Sequence, residues 1–322
     1  MKLLITGGAG FIGIHLARFH ATRGDDVVLF DNLFKSAGER DRELEELTQL
    51  SNVELVEVDL TRPIQADVTG SFDLVYHLAA INGTRLFYEI PYTVARTNLL
   101  CTLHLLDWLE GQTVEKLVYA STSETYAEAG KVGLLRIPSD EDTPVVFTQP
   151  TPVRYSYGTS KFMGENLCVW FGSTRGVPVS VVRYHNIYGP RMGDKHVMPE
   201  FITRLQQGED PFSVYGGDET RAFCYVDDAV EATAAVGESE ACEGETIHIG
   251  DSSREIRIDE LARIMMELMG VQGVIEERGG RSGSVSRRCP DTSKLKRLTG
   301  YVARTDLEEG LKQTISWYLR PA

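Results

Sequence analysis

Long apolar runs, paired cysteines and positive charge are what this 322-residue chain has little of. No apolar stretch reaches the ~18 residues that a membrane helix needs, so no spanning segment is expected. The amino terminus, Met1-Lys2-Leu3-Leu4-Ile5-Thr6-Gly7, reaches glycine too early for a secretory signal. The five cysteines, Cys101, Cys168, Cys224, Cys242 and Cys289, are scattered and odd in number, with no Cys-x-x-Cys among them. That pattern is neither a disulfide framework nor a zinc site. The expectation is buried free thiols in a cytoplasmic protein without a metal. Lys and Arg number 33 against 47 Asp and Glu, a formal charge of -14. Such a field repels phosphate backbones, so nucleic acid is not an expected partner. An anionic small substrate would need a local cluster of arginines to overcome it.

Apolar residues make up 42% and charged residues 25%, an ordinary globular balance. The length suggests about two domains. Short uninterrupted apolar strands at 2–6, 27–30, 53–58, 72–77, 116–120 and 179–183 alternate with helical stretches at 11–23, 97–109 and 157–174. That rhythm predicts an α/β fold, a Rossmann-type doubly wound parallel sheet covered on both faces. After about residue 185, Pro and Gly punctuate the chain and the elements shorten. The expectation is a dinucleotide-binding domain over 1–185 and a smaller mixed α/β substrate-binding lobe over 186–322. Residues 222–249 could return to the first domain. The charged stretch 39–46 reads as a solvated helix on a loop.

Thr6-Gly7-Gly8-Ala9-Gly10-Phe11-Ile12-Gly13 joins the first strand to the first helix. Gly7 permits the tight turn, Gly10 lets backbone approach a pyrophosphate, and Gly13 allows close helix–strand packing. The helix N-terminus then aims free N–H groups at the anion. Asp31 closes the second strand at the spacing of a ribose-binding acid, and its charge would repel a 2′-phosphate, so NAD is favoured over NADP. Tyr157 and Lys161 are four apart and share one face of a predicted helix. A nearby ammonium would lower the tyrosine pKa and make Tyr157 a usable base for a hydroxyl proton. Thr122 stands at the carboxyl end of the fifth strand, where ligands of doubly wound sheets lie, and could share that proton.

Together these motifs resemble the extended short-chain dehydrogenase/reductases of the NAD-dependent nucleotide-sugar epimerase/dehydratase group. The resemblance spans Thr6–Gly13, Asp31-Asn32, Asp59-Leu60, His77–Ala80, Asn98, Thr122, Tyr157–Lys161, Arg183–Arg191 and Arg288–Asp291. It implies NAD held by the glycine loop (Gly7, Gly10, Phe11, Ile12, Gly13), by Asp31 and Asn32, by Asp59 and Leu60 at the adenine, and by Ala79, Ala80 and Asn98. It implies Tyr157 as base, Lys161 on the nicotinamide ribose, and Thr122 as helper. A nucleotide-diphosphate sugar would be gripped by Ser123, Asn186, Arg191, Arg221 and Arg288, whereas Arg281 and Arg287 read as surface ion pairs. His77 reads as a packed strand-end histidine. A homodimer through the apolar helices 97–109 and 161–171 is also implied.

The implied chemistry begins with oxidation of the sugar at C4. The 4-ketone can then be re-reduced from the other face, lose water across C5 and C6, or, with a C6 carboxylate, lose carbon dioxide. Glu124 discriminates among these, since simple epimerisation needs no acid there. Thr122-Ser123-Glu124 resembles the stretch found in UDP-glucuronate decarboxylases and lacks the Asp-Glu pair of dTDP-glucose dehydratases. Dehydration or decarboxylation is therefore the expectation, with 4-epimerisation and a non-catalytic NAD sensor as alternatives. A carboxylate merely hydrogen-bonded within its loop is the competing role for Glu124.

Overall fold

The computed structural model describes residues 1–34, 41–65, 70–280 and 285–320. Seven parallel strands form the central sheet: β1 (Lys2–Thr6), β2 (Asp26–Asp31), β3 (Val53–Glu57), β4 (Leu74–His77), β5 (Leu117–Thr122), β6 (Val179–Tyr184) and β7 (Thr246–Ile249). Their order is β7-β6-β5-β4-β1-β2-β3. The order reverses between β1 and β4, and the loops leaving these two strands open the crevice in which such sheets bind ligands.

Alternate strand residues serve opposite faces. Leu4, Val28, Phe30, Val75, Leu117 and Tyr119 pack under helices α2 (Pro91–Leu109) and α3 (Tyr155–Arg175). Leu3, Ile5, Val27, Leu29 and Tyr76 pack on the other side, under α1 (Phe11–Thr22) and α4 (Val226–Glu238). Helix α2 starts six residues before the apolar stretch at 97 because Pro91 sits at its first turn, where the missing N–H costs nothing.

Beyond β6 the strands are short. Phe212–Tyr215 pairs with Ile275–Arg278, Ile187–Tyr188 with Cys224–Tyr225, and Thr220–Ala222 with both Glu255–Arg257 and Arg287–Arg288. Within this stretch the chain returns to the sheet: β7 pairs in parallel with β6 from Thr246↔Val181 to Ile249↔Tyr184. A long loop from the first half is fastened to the second. Ser139 N–H donates to the Cys289 carbonyl (2.9 Å), and Asp291 N–H donates to the Ser139 carbonyl (2.6 Å). All five cysteines are free and buried. Among the described residues no helix is long and apolar enough to cross a membrane.

Candidate active site

The glycine loop leaves β1 and enters α1. Gly7 has a φ of +70°, and a Cβ there would lie 2.9 Å from the Ala79 backbone. A Cβ on Gly13 would collide with the Gly7 carbonyl, and one on Gly10 would lie 3.0 Å from it. Gly7 and Gly13 are therefore required by close backbone approach, and Gly10 sits in a tight one. No side chain caps Gly10 at the start of α1, so the first N–H groups of the helix face outward as an anion cradle. This cradle fits a pyrophosphate. Asp31 stands at its rim, with one carboxylate oxygen accepting from Ala9 N–H (3.0 Å) and the other from Leu33 N–H (2.9 Å). Both bonds hold the acid at the end of β2, next to where a ribose following that pyrophosphate would lie.

Other residues expected near the cofactor prove to be bound up locally. Asn98 accepts from Ile81 N–H (2.7 Å) and donates to Ser160 on α3 (3.1 Å), tying the Ala79–Ile81 stretch to the helix that carries Tyr157. Asp59 accepts from the backbone and hydroxyl of Thr61, and Leu60 is buried in the core below α2. Asn32 accepts from Phe34 N–H. His77 bonds Thr6 (2.7 Å) and Thr102 (3.0 Å), and burial pushes its pKa down to about 3. It is a neutral packing group.

At the carboxyl end of β5 the polar residues converge. Thr122 ends the strand, accepts from Glu124 N–H (3.2 Å), and hydrogen-bonds the Tyr157 phenol. Gly158 allows α3 to press onto this turn, since a Cβ there would lie 2.7 Å from the Glu124 carbonyl. Tyr157 is buried, its ring stacked on Phe87 at 4.6 Å. Burial, and then the negative charge of Glu124, push the phenol well above its ordinary value, while the Thr122 hydrogen bond opposes them. The phenol is therefore protonated in the cofactor-free chain.

Lys161 is not among these influences on the phenol. The two residues are four apart on α3, and the Lys161 ammonium ends over the ring of Tyr119 on β5, 4.4 Å from its centroid. Burial lowers its pKa to about 8 against the opposing influence of Cys168, Glu165 and Cys101. Beneath it, Arg183 makes a two-pronged buried pair with Glu165 (2.8 and 2.6 Å), which also accepts from Ser121.

Glu124 is held by two arginines. Arg288 lies 2.7 Å from one carboxylate oxygen and Arg154 3.4 Å from the other, and all three side chains are about one-seventh exposed. Burial works to raise the carboxyl pKa, but Arg288 and then Arg154 outweigh it, and the group is held below its usual range. Arg154 reaches this cluster from α3. It stands three residues before Tyr157, just where α3 begins, which places it at the same end of the helix. Arg221 joins the edge of the cluster, paired with Glu219 (2.7 Å) and in register with Arg288 across two short strands. Ser123 begins the turn that carries Glu124.

Asn186 lies beside this group with its side chain donating to the Ala222 carbonyl (3.0 Å). Arg191, expected on the substrate, sits instead at the glycine loop. Its φ of +67° turns it there, where it pairs with Asp41 (2.6 and 2.7 Å) and donates to the Ala9 carbonyl. Arg287 pairs with Glu255 at the surface. Arg281 and residues 39–40 of the charged stretch lie outside the described residues; 42–48 form a helix.

Known proteins resemble this chain in sequence and in fold. Residues 3–250 match the model of the NAD dependent epimerase/dehydratase family. A UDP-N-acetyl-alpha-D-glucosaminuronate decarboxylase from Bacillus cytotoxicus is 37% identical, over 98% of this chain and 97% of its own. A UDP-glucuronic acid decarboxylase 1 from Xenopus tropicalis is 33% identical, over 98% of this chain and 72% of its own. The crystal structure of a UDP-glucuronic acid 4-epimerase from Bacillus cereus, with UDP-glucuronic acid and NAD, superposes with a TM-score of 0.84 at 25% identity, covering 99% of each chain.

Proposed function

The chain belongs to the NAD-dependent epimerase/dehydratase family and is an NAD-using enzyme of that family, and on that premise we propose that it decarboxylates a nucleotide-activated uronic acid through a transient 4-ketone. The observation that carries this reading is the Arg154–Glu124–Arg288 clamp beside Tyr157. A plain 4-epimerase has no use for a largely enclosed carboxylate gripped in this way. The 37% identical decarboxylase supports the same reading.

When bound, NAD would supply the oxidant for C4 by accepting the C4 hydride, which later goes back to the sugar, and a positive charge that favours the Tyr157 phenolate. Tyr157 takes the C4 hydroxyl proton, with Thr122 sharing the hydrogen bond. The product of that step is a β-keto acid, because the C6 carboxylate and the C4 ketone flank C5. Loss of carbon dioxide moves the negative charge from the carboxylate to the C4 oxygen. Tyr157, whose burial favours the neutral phenol, then hydrogen-bonds that oxygen while C5 takes up a proton from solvent and the 4-ketone is restored. Arginines that gripped only the substrate carboxylate would resist its loss. By pairing with Arg154 and Arg288, Glu124 weakens that grip while leaving a cationic rim for recognition.

The same proposal assigns residues 1–185, with β7, to NAD and most of 186–322 to the nucleotide sugar. NAD would be held by the glycine loop, Asp31, Asn32, Asp59, Leu60, Ala79, Ala80 and Asn98. The sugar nucleotide would meet Ser123, Asn186, Arg221 and Arg288. A homodimer belongs to it as well: α2 and α3 pack together and leave Tyr92, Leu103, Met163, Val169 and Trp170 exposed on their outer side, an apolar face suited to a second copy. The deciding test is incubation with UDP-glucuronate, UDP-N-acetylglucosaminuronate, UDP-glucose and dTDP-glucose, read by mass spectrometry. Loss of the mass of carbon dioxide from an acidic sugar is expected. An isomer of unchanged mass would assign the chain to 4-epimerisation instead.

A further inference from the structure

The short helix Thr84–Glu89 plays no part in the reaction as derived above, yet it touches Tyr157 and Arg154. Phe87 is 3% exposed, and its ring lies parallel to that of Tyr157, with 9° between the planes and 4.6 Å between centroids. Val94, Ile81 and Leu86 complete a small apolar cluster around the two rings, separate from the main cores. The next residue, Tyr88, hydrogen-bonds Arg154, the partner of Glu124. The platform is anchored at its base, because Asn98 holds Ile81 N–H with one end of its amide and Ser160 of α3 with the other.

We infer that Phe87 is a positioning residue for proton transfer: its ring fixes the plane of Tyr157 and keeps water off that face of the phenol. The inference rests on the reading of Tyr157 as the group that exchanges the C4 proton. Its physical basis is simple. A tyrosine ring anchored only at Cβ can tip and rotate, and a parallel aromatic partner removes that freedom. Thr122 fixes the hydroxyl at one point, and the stacked ring fixes the plane through which that hydroxyl must point. Misplacement of a reacting group by about 1 Å can cost ~10²-fold in rate. Removing the ring also admits solvent, which favours the phenolate.

The test compares Phe87→Leu, which keeps apolar bulk without a plane, with Phe87→Tyr, which keeps the ring. NAD binding and circular dichroism verify that each variant is folded, and Phe87→Met replaces Leu if the latter is not. Phe87→Leu should lower kcat by roughly 10- to 100-fold with KM nearly unchanged. The acid limb of its pH profile should move to lower pH. Phe87→Tyr should restore both. A second arm needs no sugar: tyrosinate absorbance is titrated in the NAD complex, subtracting the matching Tyr157→Phe variant each time. The Tyr157 titration should lie at lower pH in Phe87→Leu than in the parent. An unmoved titration in a folded Phe87→Leu protein overturns the inference. If the parent turns over no nucleotide sugar, the proposed reaction fails and the titration alone decides the role of Phe87.

Discussion

Replacing Glu124 with Gln removes one charge from a cluster that contains three arginines. The contact at risk is the one at 2.7 Å to Arg288, because the Arg154 contact, at 3.4 Å, is already long. A hydrogen bond to a charged partner contributes ~1.5–3 kcal/mol, and Gln can retain a weaker neutral one. The expected loss of stability is therefore about 1–3 kcal/mol, a melting shift of a few degrees that leaves the protein folded. The catalytic effect should be larger and confined to one stage. The charge of Glu124 is one of the two influences that hold the Tyr157 phenol up, so its removal favours the phenolate. Oxidation at C4 should survive and NADH should accumulate, while release of carbon dioxide falls by roughly 10²–10³-fold. Stopped-flow absorbance of NADH, set against trapped carbon dioxide, separates the two stages. Tyr157→Phe is the control and should show neither signal. A Glu124→Gln enzyme that decarboxylates at the parent rate would refute the clamp as the source of the chemistry.

Asp31→Asn removes the carboxylate at the rim of the glycine loop, so the preference for NAD over NADP should narrow; calorimetric titration showing an unchanged ratio would count against its selective role. Trp170→Glu together with Met163→Glu should convert a dimer to monomer, seen as a halved mass in light scattering, and a parent protein that is already monomeric at micromolar concentration would dispose of the proposed contact. His77 and His248 are both depressed to about 3 by burial. The unfolded chain then binds more protons between pH 6.5 and 3, so stability is full above pH 6.5 and falls as pH drops. Each histidine contributes on the order of 2 kcal/mol of loss at pH 5. The urea midpoint should drop clearly from pH 7 to pH 5, and a flat profile would contradict the neutral assignment.

The sheet could be read from the chain because its strands are buried on both faces and so appear as unbroken apolar runs. The glycine loop could be read because its spacing is dictated by backbone contact alone. What was hidden depends on direction and on long sequence separation. The spacing of Tyr157 and Lys161 shows a shared helix face, but not that the ammonium runs on to Tyr119. Arg288 and Glu124 carry no mark of their pairing, because only the stitching through Ser139 and the short strand beside Arg221 brings them together. Helix α1 misleads in a different way. Ile12, Leu16 and Phe19 form its apolar stripe, yet Gly13, Ile14, Ala17, His20 and Ala21 are buried along with Leu16, while Ile12 and Phe19 stay half-covered. The helix is covered by α4 as well as by the sheet, and close packing on two sides selects small residues. Phe87 escapes notice because Leu-Phe-Tyr in a helix looks like any core segment.

The return of the chain to β7 bears on how such enzymes can be recombined. Val181–Tyr184 of β6 finds its outer partner in Thr246–Ile249, about sixty residues further along the chain and beyond the first of the short strands that follow β6. A hybrid spliced at residue 185 would pair a native β6 with a foreign β7, and a fragment ending there would present a bare strand edge to other molecules. Grafts that exchange substrate preference should therefore leave 226–249 with its own sheet and transplant the segments on either side. Solubility of such a two-segment graft, beside precipitation of the single-junction one, is the expected outcome.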